Sequence, residues 1–306
     1  MSESQDPPHS ELYFTESRGS LWNDDFVALM STRMQLGSAR RVLDVGAGQG
    51  HFGRTWAPHL APGFELVGVD REPSWVARAQ SWSDEFRARR GLDGSFRYVE
   101  GDATALPFGD ASFDAVCCQT LLIHVADPSV VVAEMLRVVR PGGLVFAAEP
   151  NNLAFLQRAA ADWRSCDPDL HTRALEFQLR IMMGKAALGL GWNNVGFDLP
   201  HLFRGLNDVR FWQNDKAVSL SAPCASPEEA VVLAERRDHA ARAISGWPRE
   251  EARTYFVAGG GMPHAFDAEY GFALACDRDD LRRIDAGTWH ELSGVVLLLA
   301  AGRKPL

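Results

Sequence analysis

Apolar residues recur with two different spacings along the first half of the chain. Five short apolar runs are typical of strands, at 41–45, 64–70, 96–100, 113–118 and 142–148. Around and between these runs, apolar positions return with the spacing of a helix, at 21–34, 51–60, 73–90 and 128–139. Strands that are apolar throughout and separated by helices favour a parallel sheet covered on both faces.

The pattern changes after Pro150, where helical spacing dominates. It covers 153–183 and returns after Ser226, which forms a capping box with Glu229 and so predicts a helix start. Further apolar runs at 209–220 and 294–302 predict two more strands. We therefore expect an α/β fold with a doubly wound, mainly parallel, seven-stranded sheet of the Rossmann-like type.

These elements divide the chain into four expected segments. They are an N-terminal helical cover over 1–40, an α/β core over 41–221, a helical lid inserted over 222–290 and a last core strand within 291–306. Aromatic and methionine side chains in the helical parts are usually core residues, but here some are expected to line an apolar ligand pocket. The set comprises Phe155, Trp163, Phe177, Met182, Met183, Trp247, Tyr255, Phe256, Met262, His264 and Phe266.

Composition narrows the classes of partner. The chain has 306 residues, of which 46% are hydrophobic, and a formal net charge of −9. An acidic chain repels phosphate backbones, so we expect no nucleic-acid partner. The sequence contains neither an apolar run of 18 residues nor a signal-peptide pattern, so a membrane partner is not expected. The five cysteines form no C-x-x-C pair, which predicts free thiols, a cytoplasmic location and no metal site.

The stretch RVLDVGAGQGHFGRTW carries the densest group of glycines in the α/β core. Gly46, Gly48 and Gly50 follow the first strand at alternate positions, and Gly53 lies within the predicted helix. Glycines at such a turn permit positive φ and the close approach of a ligand to the main chain. The spacing Gly48-x-Gly50-x-x-Gly53 matches the dinucleotide fingerprint, but it begins two residues too far from the strand.

Two aspartates end consecutive predicted strands. Asp44 ends the first, and a carboxylate at the end of an apolar strand would suit a ligand that carries an ammonium group. Asp70 ends the second, where an acid can accept hydrogen bonds from both hydroxyls of a ribose. The alternative for Asp70 is a structural cap of the helix that begins at Pro73.

Four ordered blocks resemble the class I S-adenosylmethionine-dependent methyltransferases. They are the glycine block with Asp44, the strand that ends in Asp70, GDATALPFGDASFD from Gly101, and LLIHVADPSVVVAEMLRVVRPGGLVFAAEP. The last block resembles the small-molecule subgroup. The resemblance implies transfer of a methyl group from S-adenosylmethionine to an O, N or C atom of a small molecule, with S-adenosylhomocysteine as product.

The resemblance also implies a set of cofactor-binding residues. They are Asp44, Gly46, Ala47, Gly48, Gly50, Asp70, Arg71, Asp102, Ala103 and Gln119. Within this set, Asp44 would face the ammonium group, Asp70 the ribose and Asp102 the adenine amino group. The Ala103 N–H would bind the adenine ring, and Gln119 would line the pocket near the sulfonium.

Two further residues have candidate roles. His124 follows the fourth strand and could act as a general base, or it could pack beside the helix at 128–139. Arg18 lies before the first helix and could pair with the cofactor carboxylate, or it could be exposed. Two other functions stay open, namely an NAD(P)-dependent oxidoreductase and a non-catalytic S-adenosylmethionine-binding protein.

Overall fold

The computed structural model describes residues 21–152, 167–288, 291–293 and 295–306. These residues fall into two compact units. The first, the α/β unit, consists of Trp22–Asn151, Asn194–Asp215 and Val296–Leu306. The second, the helical unit, consists mainly of described residues within Asn152–Asn193 and Lys216–Val295.

The secondary structure of the described residues is as follows. The strands are β1 (Arg41–Val45), β2 (Phe64–Asp70), β3 (Gly94–Glu100), β4 (Phe113–Gln119), β5 (Val139–Pro150), β6 (Asn207–Gln213), β7 (Val218–Leu220), β8 (Glu291–Ser293) and β9 (Leu297–Arg303). The helices are α1 (Asp24–Met34), α2 (His51–Trp56), α3 (Pro73–Arg90), α4 (Pro128–Val138), α5 (Pro168–Ala187), α6 (Leu199–Leu202), α7 (Pro227–Ala241), α8 (Arg249–Ala258) and α9 (Phe266–Asp285).

The α/β unit is built on one seven-stranded sheet with the order β3-β2-β1-β4-β5-β9-β6. Strands β1 to β5 pair in parallel, whereas β9 is antiparallel to both β5 and β6. The predicted mainly parallel, doubly wound fold is therefore confirmed. The order reverses between β1 and β4, and the crevice at their carboxyl ends is where such sheets bind ligands.

The inner strands β1, β2, β4 and β5 are mostly buried because helices cover them, and α4 shows how its sequence produces this. Asp127 caps the helix by accepting a hydrogen bond from the Ser129 N–H, and Pro128 occupies the first turn. Val131, Met135 and Val138 then lie on one buried face and pack in a core with β1, β4 and β5. This packing fixes the carboxyl ends of β4 and β5.

The single strand expected at 209–220 is wrong, because the chain forms two strands there. β6 ends at Gln213, and the next residue, Asn214, binds β9 through both its backbone N–H and its side chain. The Asn214 Oδ1 accepts the Leu297 N–H at 2.9 Å, which replaces a ladder bond with a side-chain bond. β7 belongs to the helical unit, where it pairs with β8.

The helical unit has its own hydrophobic core. Helices α5, α8 and α9 contribute a cluster of buried residues together with Trp247, which lies just before α8. The other members are Phe177, Ile181, Ala252, Tyr255, Phe256, Phe266, Tyr270, Ala273 and Leu274. Gly184 lets α5 approach α8 closely, since a Cβ there would collide with the Tyr255 carbonyl. This packing places the described residues within Asn152–Asn193 in the helical unit, whereas the sequence assigned those residues to the α/β core. Within the described part of the chain, no helix has the length and apolar character needed to cross a membrane.

Candidate functional site

The turn after β1, Gly46–Gly50, is named here the glycine turn. Gly46, Gly48 and Gly50 adopt φ values of 65°, 52° and 75°, which lie in the left-handed region. Backbone bonds from Ala47 N–H to the Val69 carbonyl (3.0 Å) and from Gly50 N–H to the Ala47 carbonyl (2.7 Å) hold the turn against β2. The turn therefore opens onto the carboxyl ends of β1 and β2, as the sequence predicted.

Two of these glycines are required by the protein's own side chains. A Cβ at Gly50 would collide with the Tyr98 hydroxyl, and a Cβ at Gly46 would meet the Leu121 side chain at 2.6 Å. Tyr98 is buried and its hydroxyl bonds to the Ser83 hydroxyl at 2.9 Å. At Gly50 the close neighbour is thus an internal side chain, where the sequence suggested a ligand.

Asp44 lies fully buried beneath the glycine turn. Its Oδ2 accepts the Gly53 N–H at 2.9 Å, and the Cys117 thiol donates to Oδ1 at 3.9 Å. Burial raises the pKa of Asp44 to about 7, although the Gly53 hydrogen bond opposes this shift. Asp44 therefore ties the start of α2 to β1 and leaves a titratable charge under the turn.

Asp70 is also buried, with 8% of its surface exposed, and it holds the glycine turn directly. Its Oδ2 accepts the Gly48 N–H at 2.7 Å, and its Oδ1 accepts the Glu72 N–H at 3.1 Å. Burial raises the pKa of Asp70. The alternative role as a cap of α3 is wrong, since the N-cap is Glu72, whose side chain accepts the Ser74 N–H.

Asp102 and Ala103 form a second turn, after β3. The exposed Asp102 carboxylate accepts the backbone N–H and the hydroxyl of Thr104 at 2.8 Å and 2.7 Å, which lowers its pKa. Ala103 is half-buried against the core of the sheet. The exposed Arg71 contributes positive charge that favours the ionised forms of both Asp70 and Asp102. These residues continue the acidic edge that begins at Asp44.

Gln119 ends β4 and is nearly buried beneath Trp22. The Trp22 indole N–H donates to the Gln119 Oε1 at 3.0 Å. The Trp22 ring also lies 6.4 Å from Phe52 and 6.0 Å from Trp56, between ring centroids. Trp22, just before α1, thus covers α2 and the end of β4. Arg18 lies outside the described residues.

His124 ends a short 3₁₀ turn, Leu122–His124, and is half-buried. Its backbone N–H donates to the Leu121 carbonyl at 2.9 Å, which closes the turn after β4. The sequence prediction that His124 follows the fourth strand is correct in position. Its role as a base stays a prediction.

Glu149 is a site residue that the sequence reasoning missed. It lies at the carboxyl end of β5, is fully buried, and accepts the N–H groups of Leu121 and Leu122 through Oε1, both at 3.0 Å. Burial raises its pKa to about 7. The signal that singled out Asp44 and Asp70, an acid at the end of an apolar strand, would also have found Glu149.

The aromatic side chains expected to line a pocket lie mostly in the core of the helical unit. Those buried there are Phe177, Trp247, Tyr255, Phe256 and Phe266. Met182 is buried as well, whereas Met183, Met262 and His264 are exposed. Phe155 and Trp163 lie outside the described residues. Among the described residues, no group of three or more His, Cys, Asp or Glu side chains could hold a metal ion.

Known proteins are similar to the part of the chain that carries this site. The family described as "Methyltransferase domain" matches residues 43–147. An uncharacterised methyltransferase, YcgJ of Bacillus subtilis, is 32% identical over 135 residues, which are 44% of this chain and 49% of YcgJ. The demethylmenaquinone methyltransferase of Deinococcus radiodurans is 40% identical over 114 residues, or 37% of this chain and 44% of that enzyme.

The chain spans about half the length of the curated relatives that it matches. A crystal structure of a candidate methyltransferase from Bacillus halodurans C-125 aligns with 92% of this chain and 100% of its own, with a TM-score of 0.50 and 17% identity. That likeness shows the fold. The matched residues run from Leu43 to Ala147 and contain the glycine turn, Asp70, Asp102 and Gln119. This part of the chain, residues 43–147, is therefore similar to the methyltransferase domain family.

Proposed function

We propose that the chain binds S-adenosylmethionine at the carboxyl edge of β1, β2 and β4 and transfers its methyl group to a small molecule. One observation carries the proposal. The glycine turn is held open over this edge by Asp70, whose carboxylate binds the Gly48 N–H at 2.7 Å. The turn lies within the residues that match the methyltransferase domain.

The carboxylate groups at this edge suit the chemistry of this cofactor. Each oxygen of Asp70 accepts one backbone N–H, and a carboxylate oxygen has room for a second hydrogen bond. Asp70 could therefore still accept both hydroxyls of a ribose. Asp102 is exposed and acidic, which suits an adenine amino group. The buried charge of Asp44 suits a ligand with cationic groups.

The cofactor, when bound, supplies a methyl group on a positively charged sulfur. The residues of this chain have to bind it, align the acceptor and exclude water. Alignment of an already nucleophilic atom can contribute most of the rate. Where the acceptor is a hydroxyl or an amine, His124 is the proposed residue that would accept its proton.

A small acceptor is favoured over a polynucleotide. The net charge of −9 opposes binding of a phosphate backbone. The similar enzyme from Deinococcus radiodurans is named for demethylmenaquinone, a small molecule. The family match ends at residue 147, so we assign the selection of the acceptor, and of the O, N or C atom that is methylated, to the residues that follow.

Calorimetric titration with four ligands tests the proposal. S-adenosylmethionine and S-adenosylhomocysteine should bind, whereas NAD and NADP should not. Binding of NAD without either methionine derivative would favour an oxidoreductase. A screen of acceptors with a tritiated methyl donor then measures transfer, and binding without transfer to any acceptor would indicate a non-catalytic binding protein.

A further inference from the structure

The turn that follows β4, Thr120–His124, is named here the β4 turn, and its backbone is strained. Thr120 adopts a φ of 52°. A β-branched residue rarely takes this left-handed conformation, because its side chain crowds the backbone. Such outliers persist only where surrounding contacts hold them, and they concentrate at functional sites.

Two residues of β5, Ala148 and Glu149, hold this turn in place through three hydrogen bonds. The Thr120 N–H donates to the Ala148 carbonyl at 3.0 Å. The N–H groups of Leu121 and Leu122 then converge on a single oxygen, Oε1 of Glu149, each at 3.0 Å. A side-chain oxygen thus continues the β5 ladder where the backbone of the turn departs from it.

The Glu149 carboxyl is an unusual group for this position. It is fully buried, and its Oε2 has no hydrogen-bond partner among the described residues. Burying a carboxyl with one unpaired oxygen is unfavourable. An apolar side chain would avoid that cost, but it would leave the buried Leu122 N–H and the part-buried Leu121 N–H without this acceptor.

The β4 turn connects Glu149 to the proposed cofactor site. The Leu121 side chain packs against Gly46, close enough to occupy the position of a Cβ on that glycine. Gln119 ends β4 immediately before the turn and accepts the Trp22 indole N–H. His124 ends the turn. A shift of the β4 turn would therefore move Leu121 and His124 and would disturb the adjoining Gln119.

We propose that Glu149 is a positioning residue for cofactor binding. Its Oε1 holds the β4 turn so that Leu121 supports the glycine turn and Gln119 and His124 face the site. This inference rests on the proposed function, since S-adenosylhomocysteine is the ligand whose affinity reports it. The carboxyl acts as a hydrogen-bond acceptor, so an amide carbonyl of the same length can replace it.

The test compares three substitutions at one position, each measured by calorimetric titration with S-adenosylhomocysteine. Glu149→Gln keeps an acceptor at the same distance, and its affinity should stay within about 3-fold of the wild type even if its melting temperature falls. Glu149→Met removes the acceptor and should lower the affinity at least 10-fold. Glu149→Asp keeps the charge on a shorter side chain and should also lower the affinity at least 10-fold.

Asp114 provides a matched control. Its Oδ2 also accepts two consecutive backbone N–H groups, of Arg40 and Arg41, at 2.8 Å and 2.9 Å, but at the amino ends of β1 and β4. Asp114→Leu should lower the melting temperature and leave the affinity within about 3-fold. The control distinguishes a general loss of stability from a specific loss of affinity for S-adenosylhomocysteine.

The outcomes distinguish this inference from the proposed function. If the wild-type protein does not bind S-adenosylhomocysteine, the proposed function fails and the inference fails with it. If the wild type binds, affinity at the wild-type level in folded Glu149→Met overturns the inference alone. Tighter binding by Glu149→Asp than by Glu149→Gln also overturns it, because charge would then matter more than the position of the acceptor. This comparison remains decisive if Glu149→Met does not fold.

Discussion

The acidic residues at the carboxyl ends of the strands in the large sheet differ from those at the amino ends in burial and in bonding partners. These two ends of the sheet are named here the carboxyl edge and the amino edge. At the carboxyl edge, Asp44, Asp70 and Glu149 are buried, and each accepts backbone N–H groups of a neighbouring turn or helix start. Among the described residues, none of the three forms an ion pair. At the amino edge, Glu65 pairs with Arg41 and Asp114 with Arg140, both at 3.0 Å.

This difference indicates a structural role for the acids of the amino edge and a ligand-binding role for those of the carboxyl edge. Ion pairs at the amino edge neutralise charge near solvent, where each contributes little to stability. The carboxyl groups at the carboxyl edge instead accept hydrogen bonds from backbone N–H groups of the adjoining turns. Raised pKa values at Asp44 and Glu149 show that this arrangement opposes ionisation. Such an edge is suited to a cationic ligand, which would restore the balance of charge.

The largest effect is expected from Asp70→Ala. Loss of two charged hydrogen bonds to a ribose should lower the affinity for S-adenosylhomocysteine about 10- to 1000-fold, at roughly 1.4 kcal/mol per tenfold. Stability should fall as well, by about 1–3 kcal/mol, because the buried Gly48 N–H loses its acceptor. Titration and urea denaturation of the same variant measure both. Wild-type affinity in folded Asp70→Ala would remove the ribose role and weaken the contrast between the edges.

A pH effect on stability should distinguish Asp44 from the acids of the amino edge. Its pKa is raised from 3.8 to about 7, so the folded protein holds this proton more tightly than the unfolded chain does. The free energy of unfolding should therefore decrease, relative to Asp44→Asn, as pH rises from about 4 to about 7, by up to roughly 1.4 kcal/mol per pH unit. Urea denaturation at several pH values measures the difference. If the free energy of unfolding had the same pH dependence in both proteins, the pKa of Asp44 would not be raised by burial.

Gly50→Ala should destabilise the glycine turn through a collision inside the protein. The new Cβ would meet the Tyr98 hydroxyl at a positive φ, at an expected cost of about 1–3 kcal/mol. Adding Tyr98→Phe removes the colliding oxygen and should restore part of the stability. Thermal denaturation of the two single variants and the double variant measures this coupling. Strictly additive losses would show that Tyr98 is not the reason for glycine at this position.

The smallest effect is expected at the amino edge. Arg41→Met breaks the ion pair with Glu65, whose members are both more than a third exposed. Exposed pairs contribute about 0–1 kcal/mol, so the melting temperature should change little. Affinity for S-adenosylhomocysteine should be unchanged. A tenfold loss of affinity in this variant would mean that the two edges are energetically connected, and it would undermine the comparison.

Much of the fold and part of the site follow from local sequence patterns. Apolar runs separated by helical spacing predict β1 to β5. For the inner strands β1, β2, β4 and β5 the reason is that burial on both faces of a parallel sheet requires apolar residues throughout. The glycine turn and the acids that end β1 and β2 are likewise visible in the sequence, since a strand end is a local feature. The division of 209–220 into β6 and β7 is not visible in the sequence, because it depends on the hydrogen bond between Asn214 and the distant Leu297.

Only the tertiary structure decided what each acid and glycine contacts. Asp70 holds Gly48 across 22 residues, and Glu149 holds Leu121 across 28, because neighbouring strands bring their carboxyl ends to one edge. Tyr98 reaches Gly50 from β3 across Gly68 of β2, where a Cβ would meet the Tyr98 ring. The sequence by itself determined that acids and glycines gather at this edge. Which hydrogen bonds they form depends on strand order and register, and those follow from packing over the whole sheet.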